Sequence, residues 1–442
     1  MFRKQSKPWI GALAINDDHI DAHSLSINAL GYSDSVIAED FSERLRRCNR
    51  AVMRHVAPGH GRHANQPDPE RVLRIGYLLP DLLEHSSLSR FVLPIFKHHD
   101  RRQFEIYGYY NHALSDRTTQ SIADQTTCWQ PCHDSSDIEL AATIVKDKID
   151  ILIDLVGHFA SNRLRVLAMK PAPVSISWFG YPGHTGLENI DYKFSDAFLD
   201  PDSPSRQAGH ANTLHLAAHF CFEPPVNDTP VRELPALHNG FVTFAAFGNR
   251  YKINPHAITA WSAILNRLPD ARLMIGDMNT PDQIRQILDR FGRQGIPEER
   301  LILVERKSLP EFLELHHSVD IALDTYPFTG GLTSLLGVWM GLPFITQCGD
   351  TPLQRQGAMI LAHLGLESFI AHDPDQYVAK AVELASDLPA LARLRQESRD
   401  RLLHSPLTDA AVVTRSAEEA LRRAWRHWCR SPAPSNRPLQ DF

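Results

Sequence analysis

From residue 71 to residue 428 short apolar runs alternate with helix-length segments, and this alternation most constrains the fold. Residues 72–79, 104–110, 149–156 and 174–179 read as strands; 86–98, 137–148 and 162–170 read as the helices between them. Parallel strands need long crossover connections, usually helical, so the pattern predicts a parallel sheet covered by helices. Two Pro-rich, weakly patterned stretches follow, at 201–208 and 223–235. A second alternating unit then begins. Its strands are predicted at 241–247, 272–275, 301–304, 321–323 and 344–346. Helices are predicted at 255–268, 281–291, 309–318 and 333–340, then at 354–364, 375–385, 388–403 and 409–428.

The 442 residues exceed one ordinary domain. The pattern divides them into two Rossmann-like α/β domains, 71–225 and 226–430. A helical appendage and linker (1–70) precedes them, and a tail (431–442) expected to be disordered follows. Helix 40–55 of the appendage has a basic face (Arg44, Arg46, Arg47, Arg50, Arg54), expected to be solvated or docked on an acidic neighbour. Two such domains facing each other would form a cleft suited to a nucleotide-linked donor and an acceptor, since ligands bind at strand ends in sheets of this kind.

Composition removes other classes. A net charge of −6 argues against a nucleic-acid binder. No window approaches the roughly 20 apolar residues of a membrane span, so no membrane insertion is expected. The first residues lack a signal-peptide core, and the six cysteines are scattered; Cys128, Cys132 and His133 lack the second pair a tetrahedral metal site needs. A cytoplasmic protein with reduced thiols is the expectation.

The richest stretch is residues 320–346, DIALDTYPFTGGLTSLLGVWMGLPFIT: strand, Gly-rich loop, helix, strand. A loop of this kind feeding a helix N-terminus offers free N–H groups and the helix dipole to an anion. In the loop after strand 241–247, Lys252 stands at the sheet end beside Asn249. A lysine and a helix start together can neutralise a diphosphate leaving group. Neither the loop of Lys252 nor the Gly-rich loop at 324–333 carries an Asp-x-Asp motif to hold a divalent ion there, so no metal is expected. In the first half the polar strand-end loops are Pro80-Asp81 to His85, Gly157-His158, and Gly180-Tyr181-Pro182-Gly183-His184. A histidine at such an edge suits a general base or a donor to a sugar or phosphate oxygen.

These loops, in this order, resemble the protein O-GlcNAc transferase and SPINDLY-type family over residues 63–429. The resemblance is carried by His63-Ala-Asn65, Leu73-Arg-Ile-Gly-Tyr77 with Asp81 and His85, and Ile151-Leu-Ile-Asp-Leu155 with Gly157-His158. It continues through Lys170-Pro-Ala-Pro173, Trp178 with Gly180 to Gly183, Asp191-Tyr192, Phe247 with Lys252, Asp320 to Asp324, Trp339-Met-Gly341 and Ser405-Pro-Leu407. It implies a GT-B fold and an inverting, metal-independent transfer of a sugar to a protein or peptide acceptor. The implied co-substrate is UDP-GlcNAc, with UDP-glucose and GDP-fucose as alternatives and no other cofactor. A non-catalytic homologue acting as a protein-binding module is the reading from a different class. The resemblance implies that His85, with His158 or Asp81 nearby, takes the acceptor proton or aligns the hydroxyl. It implies that Lys252, Asn249, Thr329, Gly330, Gly331, Thr333 and Arg355 bind the donor, and that Gly180, Tyr181, Pro182 and Gly183 face the acceptor. The chain departs from the family at Leu336, where an acid usually holds the ribose, and at Leu309 and Phe312, where animal enzymes use lysine and histidine. It also lacks the tetratricopeptide repeats that often present protein acceptors.

Overall fold

The computed structural model describes residues 12–13, 15–33, 38–56, 63–201, 212–225 and 229–430. The expected tail at 431–442 lies outside them, as does part of the predicted polar linker. The chain divides into two compact units, with a division at Pro224.

The first domain is a sheet of seven parallel strands in the order β3-β2-β1-β4-β5-β6-β7. The strands are β1 (Leu73–Leu79), β2 (Phe104–Tyr110), β3 (Cys128–Pro131), β4 (Ile151–Asp154), β5 (Val174–Ser177), β6 (Tyr192–Ser195) and β7 (Asn212–His215). The central strands β1, β4 and β5 are buried nearly throughout, which is why their apolar runs are continuous rather than alternating. Strands β3, β6 and β7 escaped the sequence reading. Each is four residues long and lacks a continuous apolar run, and β3 and β7 are the sheet's edges among the described strands.

The described helices before residue 71 are not a separate appendage. Helices α1 (Ile20–Leu30) and α2 (Ala38–Arg54) pack on the first domain. Asn49 donates to Glu188, and Gly186 comes so close to Leu45 that a Cβ there would sit 2.8 Å from the leucine Cβ. The basic face of α2 meets acids: Arg47 pairs with Asp17 and Arg54 with Asp18.

The boundary expected at residue 430 also moves. The last helix, α15 (Ala410–Arg430), belongs to the first domain. Its Glu418 lies 2.9 Å from Nδ1 of buried His99, whose Nε2 lies 2.9 Å from the Tyr77 hydroxyl. Arg422 donates to the carbonyls of Pro69 and Arg71, and the Trp425 indole donates to that of Asp68. Local periodicity identifies such a helix but not the sheet it covers.

The second domain has six parallel strands in the order β10-β9-β8-β11-β12-β13. They are β8 (Thr243–Ala246), β9 (Arg272–Ile275), β10 (Leu301–Leu303), β11 (Ile321–Leu323), β12 (Phe344–Gln347) and β13 (Ile370–Ala371). Phe244, Leu273, Ile275, Ile321, Leu323 and Ile345 form the sheet's part of a core that includes Trp261, Ile264 and Phe291 from covering helices. The strand order reverses between β8 and β11, and in such sheets the crevice beyond the carboxyl ends at that reversal is the binding position. Of the helices, α10 (Leu309–Leu315) and α11 (Leu332–Trp339) flank β11 in sequence, and α12 (Gln356–His363) follows β12. Among the described residues no helix is long and apolar enough to cross a membrane.

Candidate functional site

The loops after β8 and β11 meet at this reversal. After β8 the chain turns at Gly248 (φ 141°), and the Asn249 carboxamide accepts from the Tyr251 amide at 3.0 Å, closing a short 3-10 turn (Arg250–Lys252). Asn254 caps the following helix by accepting from the Ala257 amide, and its Nδ2 donates to the Tyr326 carbonyl at 2.7 Å. That bond ties the first loop to the second. It holds Lys252 with its Nζ 2.8 Å from the Thr329 carbonyl and 4.2 Å from the centre of the Phe328 ring.

Asp324, the residue after β11, organises the second loop. Its Oδ1 accepts from the amides of Thr325 (2.8 Å) and Gly330 (2.7 Å), and its Oδ2 accepts from the Thr346 hydroxyl (2.8 Å). Two glycines fit against this carboxylate for steric reasons. A Cβ on Gly330 would sit 2.0 Å from Ser334 Oγ and 3.1 Å from Asp324 Oδ1; one on Gly357 would sit 2.3 Å from Asp324 Oδ2 and 2.5 Å from Thr346 Oγ1. Gly331 is different, since its nearest atom would be Gln356 Oε1 at 3.5 Å.

The electrostatics follow from this packing. Desolvation pushes the Lys252 ammonium down to about 8, with Asp324 opposing the shift. Desolvation raises the Asp324 carboxyl, while Lys252 and the loop hydrogen bonds pull it back. A lysine in this state is charged at neutral pH, and its desolvated charge favours an incoming anion.

The structure corrects the expected use of the loop. Thr329 is fully buried: its amide and hydroxyl donate to the Leu353 carbonyl at 3.1 and 3.0 Å, and its hydroxyl accepts from the Gly357 amide at 3.2 Å. The Gly330 amide is spent on Asp324. These two residues build the loop and do not present its amides outward. The first-turn N–H groups of α11, around Gly331, Leu332 and Thr333, have no carbonyl one turn back and are the ones available to an anion. Arg355 lies beyond β12, its guanidinium donating to the Gly349 carbonyl at 3.1 Å and approaching Cys348 Sγ at 3.1 Å. Leu336 is buried in α11, and Phe312 packs edge-on against Phe247 at 5.2 Å between ring centres.

In the first domain the loops after β1 and β4 flank the equivalent reversal. Asp81 Oδ1 accepts from the Leu83 amide at 2.9 Å, and its Oδ2 lies 3.3 Å from His85 Nε2. The His85 side chain is 68% exposed, so it is free to meet an incoming group. His158 is not. It is fully buried, with Nδ1 2.8 Å from the Ser24 hydroxyl and Nε2 2.8 Å from the Thr185 carbonyl. Because a carbonyl only accepts, Nε2 carries the proton, and burial pushes the imidazole down to about 4. His158 is therefore a neutral joint between α1 and the 185 loop, and the expectation of a catalytic role is withdrawn.

The Gly180 loop is also largely interior. Gly180 has φ +24°, and a Cβ there would meet the Leu155 carbonyl oxygen at 2.3 Å. Tyr181, Pro182 and Gly183 are buried, and the Tyr181 ring stands edge-on to His158 at 5.3 Å. These residues shape the loop; only Gly180 among them keeps partial exposure. Sequence reasoning assigned no role to Asp324, Asn254 or Gly357. The available signal for Asp324 was an acid closing a buried apolar run.

With this geometry in place, likeness to known proteins becomes informative. The sequence profile of glycosyl transferase family 41 matches residues 47–221 and 228–416. A tomato (Solanum lycopersicum) protein named probable UDP-N-acetylglucosamine--peptide N-acetylglucosaminyltransferase SPINDLY is 33% identical over 97% of this chain and 46% of its own length. The petunia (Petunia hybrida) protein of the same name is 35% identical over 85% of this chain and 41% of its own. The chain thus spans about half the length, or less, of the curated relatives it matches. A mutant of the Thermobaculum terrenum O-GlcNAc transferase superposes with a TM-score of 0.91 at 29% identity, over 97% of this chain and 82% of that one. Two Rossmann-like sheets, their strand-end loops and a profile match through most of both domains agree: the chain belongs to glycosyl transferase family 41.

Proposed function

We propose that this chain transfers N-acetylglucosamine from UDP-GlcNAc to protein side chains by a single, inverting displacement. The observation that carries this reading is the desolvated Lys252 ammonium beside the start of α11, at the strand-order reversal of the second domain. The acceptor oxygen attacks the anomeric carbon, and the bond from that carbon to the β-phosphate oxygen breaks. The electron pair leaves with the diphosphate, and the acceptor proton passes to a base. Lys252 and the first-turn N–H groups of α11 stabilise the charge developing on the diphosphate. In this reading they supply the positive charge that a divalent ion supplies elsewhere.

On the first domain His85 is the group we assign to the acceptor proton, with Asp81 3.3 Å from its Nε2 to orient it. The protein acceptor and the UDP-GlcNAc donor are supported by the names of the SPINDLY relatives. UDP-glucose and GDP-fucose are the alternative donors. Titration calorimetry with UDP and GDP tests the donor site: saturable binding of one, lost in Lys252→Met, supports the reading, and no binding of either overturns it. The buried Leu336 favours a second reading, a protein-binding module that has lost a polar group from its nucleotide site. That reading predicts no nucleotide binding.

A further inference from the structure

Deep in the second domain lies a polar atom with nothing to bind. His316, in the 3-10 turn after α10, is fully buried. Its Nδ1 is 2.8 Å from the Phe312 carbonyl, which only accepts, so Nδ1 carries the proton. Nε2 is then a lone-pair acceptor, and it has no hydrogen-bond partner among the described residues. Burial keeps the ring neutral, pushing it down to about 4, so this acceptor persists at physiological pH. Leaving a buried acceptor unmatched is destabilising, and such an atom calls for a partner.

His316 lines a narrow crevice with Phe247, Asp324, Thr333, Ser334 and Gly337. Gly337 makes the room: a Cβ there would stand 3.9 Å from His316 Nε2. The space open to a water-sized group in it is ≈ 20 Å³. That exceeds the roughly 10–15 Å³ needed for one water-sized group and is far too small for a base or a sugar ring. A single hydroxyl fits; a ring imide does not. Thr333 belongs both to this crevice and to the first turn of α11, so the crevice adjoins the place assigned to the diphosphate. The next group along a nucleotide from its diphosphate is the pentose.

We propose that His316 Nε2 accepts a hydrogen bond from a pentose hydroxyl of the donor nucleotide, and that Gly337 keeps the space open for it. The residue pair then discriminates nucleotides that carry this hydroxyl from those that lack it. This rests on the donor reading above.

The test is calorimetry of the full chain with UDP and GDP and, for whichever binds, its 2′-deoxy and 3′-deoxy forms. In the wild type, loss of one of the two hydroxyls weakens binding about three- to tenfold. In His316→Phe the same loss changes affinity by less than about twofold, because the acceptor is gone. Gly337→Ala gives an independent variant. Its Cβ meets nothing closer than 3.8 Å, so the fold accepts it while the crevice fills. It melts no lower than wild type, since alanine favours a helix over glycine, and it too loses the discrimination. Equal binding of all three forms by the wild type overturns the proposal, as a trapped water would produce. Discrimination that survives both substitutions overturns it as well. Binding of neither UDP nor GDP overturns the donor reading and this inference together.

Discussion

Lys252 gives the proposed donor site a pH dependence that can be worked out in advance. Burial lowers its ammonium to about 8 in the free protein. A bound diphosphate stabilises the charged form and raises it again. If only the protonated lysine binds, affinity scales with the protonated fraction. From a pKa of about 8, that fraction falls from about 0.97 at pH 6.5 to about 0.24 at pH 8.5. The dissociation constant of UDP-GlcNAc therefore rises about fourfold over that range, or about 0.8 kcal/mol. The same linkage requires proton uptake, about half a proton per site at pH 8. Calorimetry in two buffers of different ionisation enthalpy measures both quantities. In Lys252→Met the slope and the uptake vanish, and affinity drops about 10- to 100-fold with the loss of a charged donor. A pH-independent constant in the wild type, or an equal slope in Lys252→Met, refutes the assignment.

Other consequences are equally direct. Gly357→Ala drives a Cβ into Asp324 and Thr346 and should cost about 1–3 kcal/mol. Gly331→Ala, with its nearest neighbour at 3.5 Å, should stay within about 0.5 kcal/mol in chemical denaturation. His85→Ala should leave the melting temperature unchanged and cut turnover at least about 100-fold. His158→Ala should do the reverse, lowering stability by about 2–3 kcal/mol through two lost buried hydrogen bonds while the folded fraction turns over normally. Buried His158, His219 and His316 are each pushed down to about 4 from 6.5. The unfolded chain thus binds more protons than the folded one between those values, so stability falls as pH drops from about 6.5 towards 4, by up to about 3 kcal/mol per histidine. A urea midpoint that is flat across that window contradicts this.

Much of the fold was legible because its signals are local. The apolar runs of β2, β9 and β11 were read to the residue, as was helix α14 (Leu388–Leu403), since burial fixes their composition and Asp387 caps the helix. Long-range facts were not legible. The attachment of α15 to the first domain depends on Glu418 finding His99, and that of α1 on Ser24 finding His158. The site shows the same split. Lys252 and the loop before α11 were singled out from residue type at strand ends. The roles of Thr329 and Gly330 were misread because their partners, Leu353 and Asp324, come from the next strand's loop and from the strand end. His158 was misread because sequence places it at a sheet end without showing that α1 covers it. His316 gave no signal at all; only its neighbours reveal a lone pair left over.

The central claim is sugar transfer to protein. Its most direct test incubates the purified chain with UDP-GlcNAc, UDP-glucose or GDP-fucose and a dialysed cell-lysate protein mixture containing excess EDTA, then reads acceptor peptides by mass spectrometry. The account predicts single N-acetylhexosamine additions to side chains with UDP-GlcNAc, absent from the Lys252→Met and His85→Ala reactions. Unmodified peptides with all three donors, or additions that persist undiminished in Lys252→Met, would contradict it.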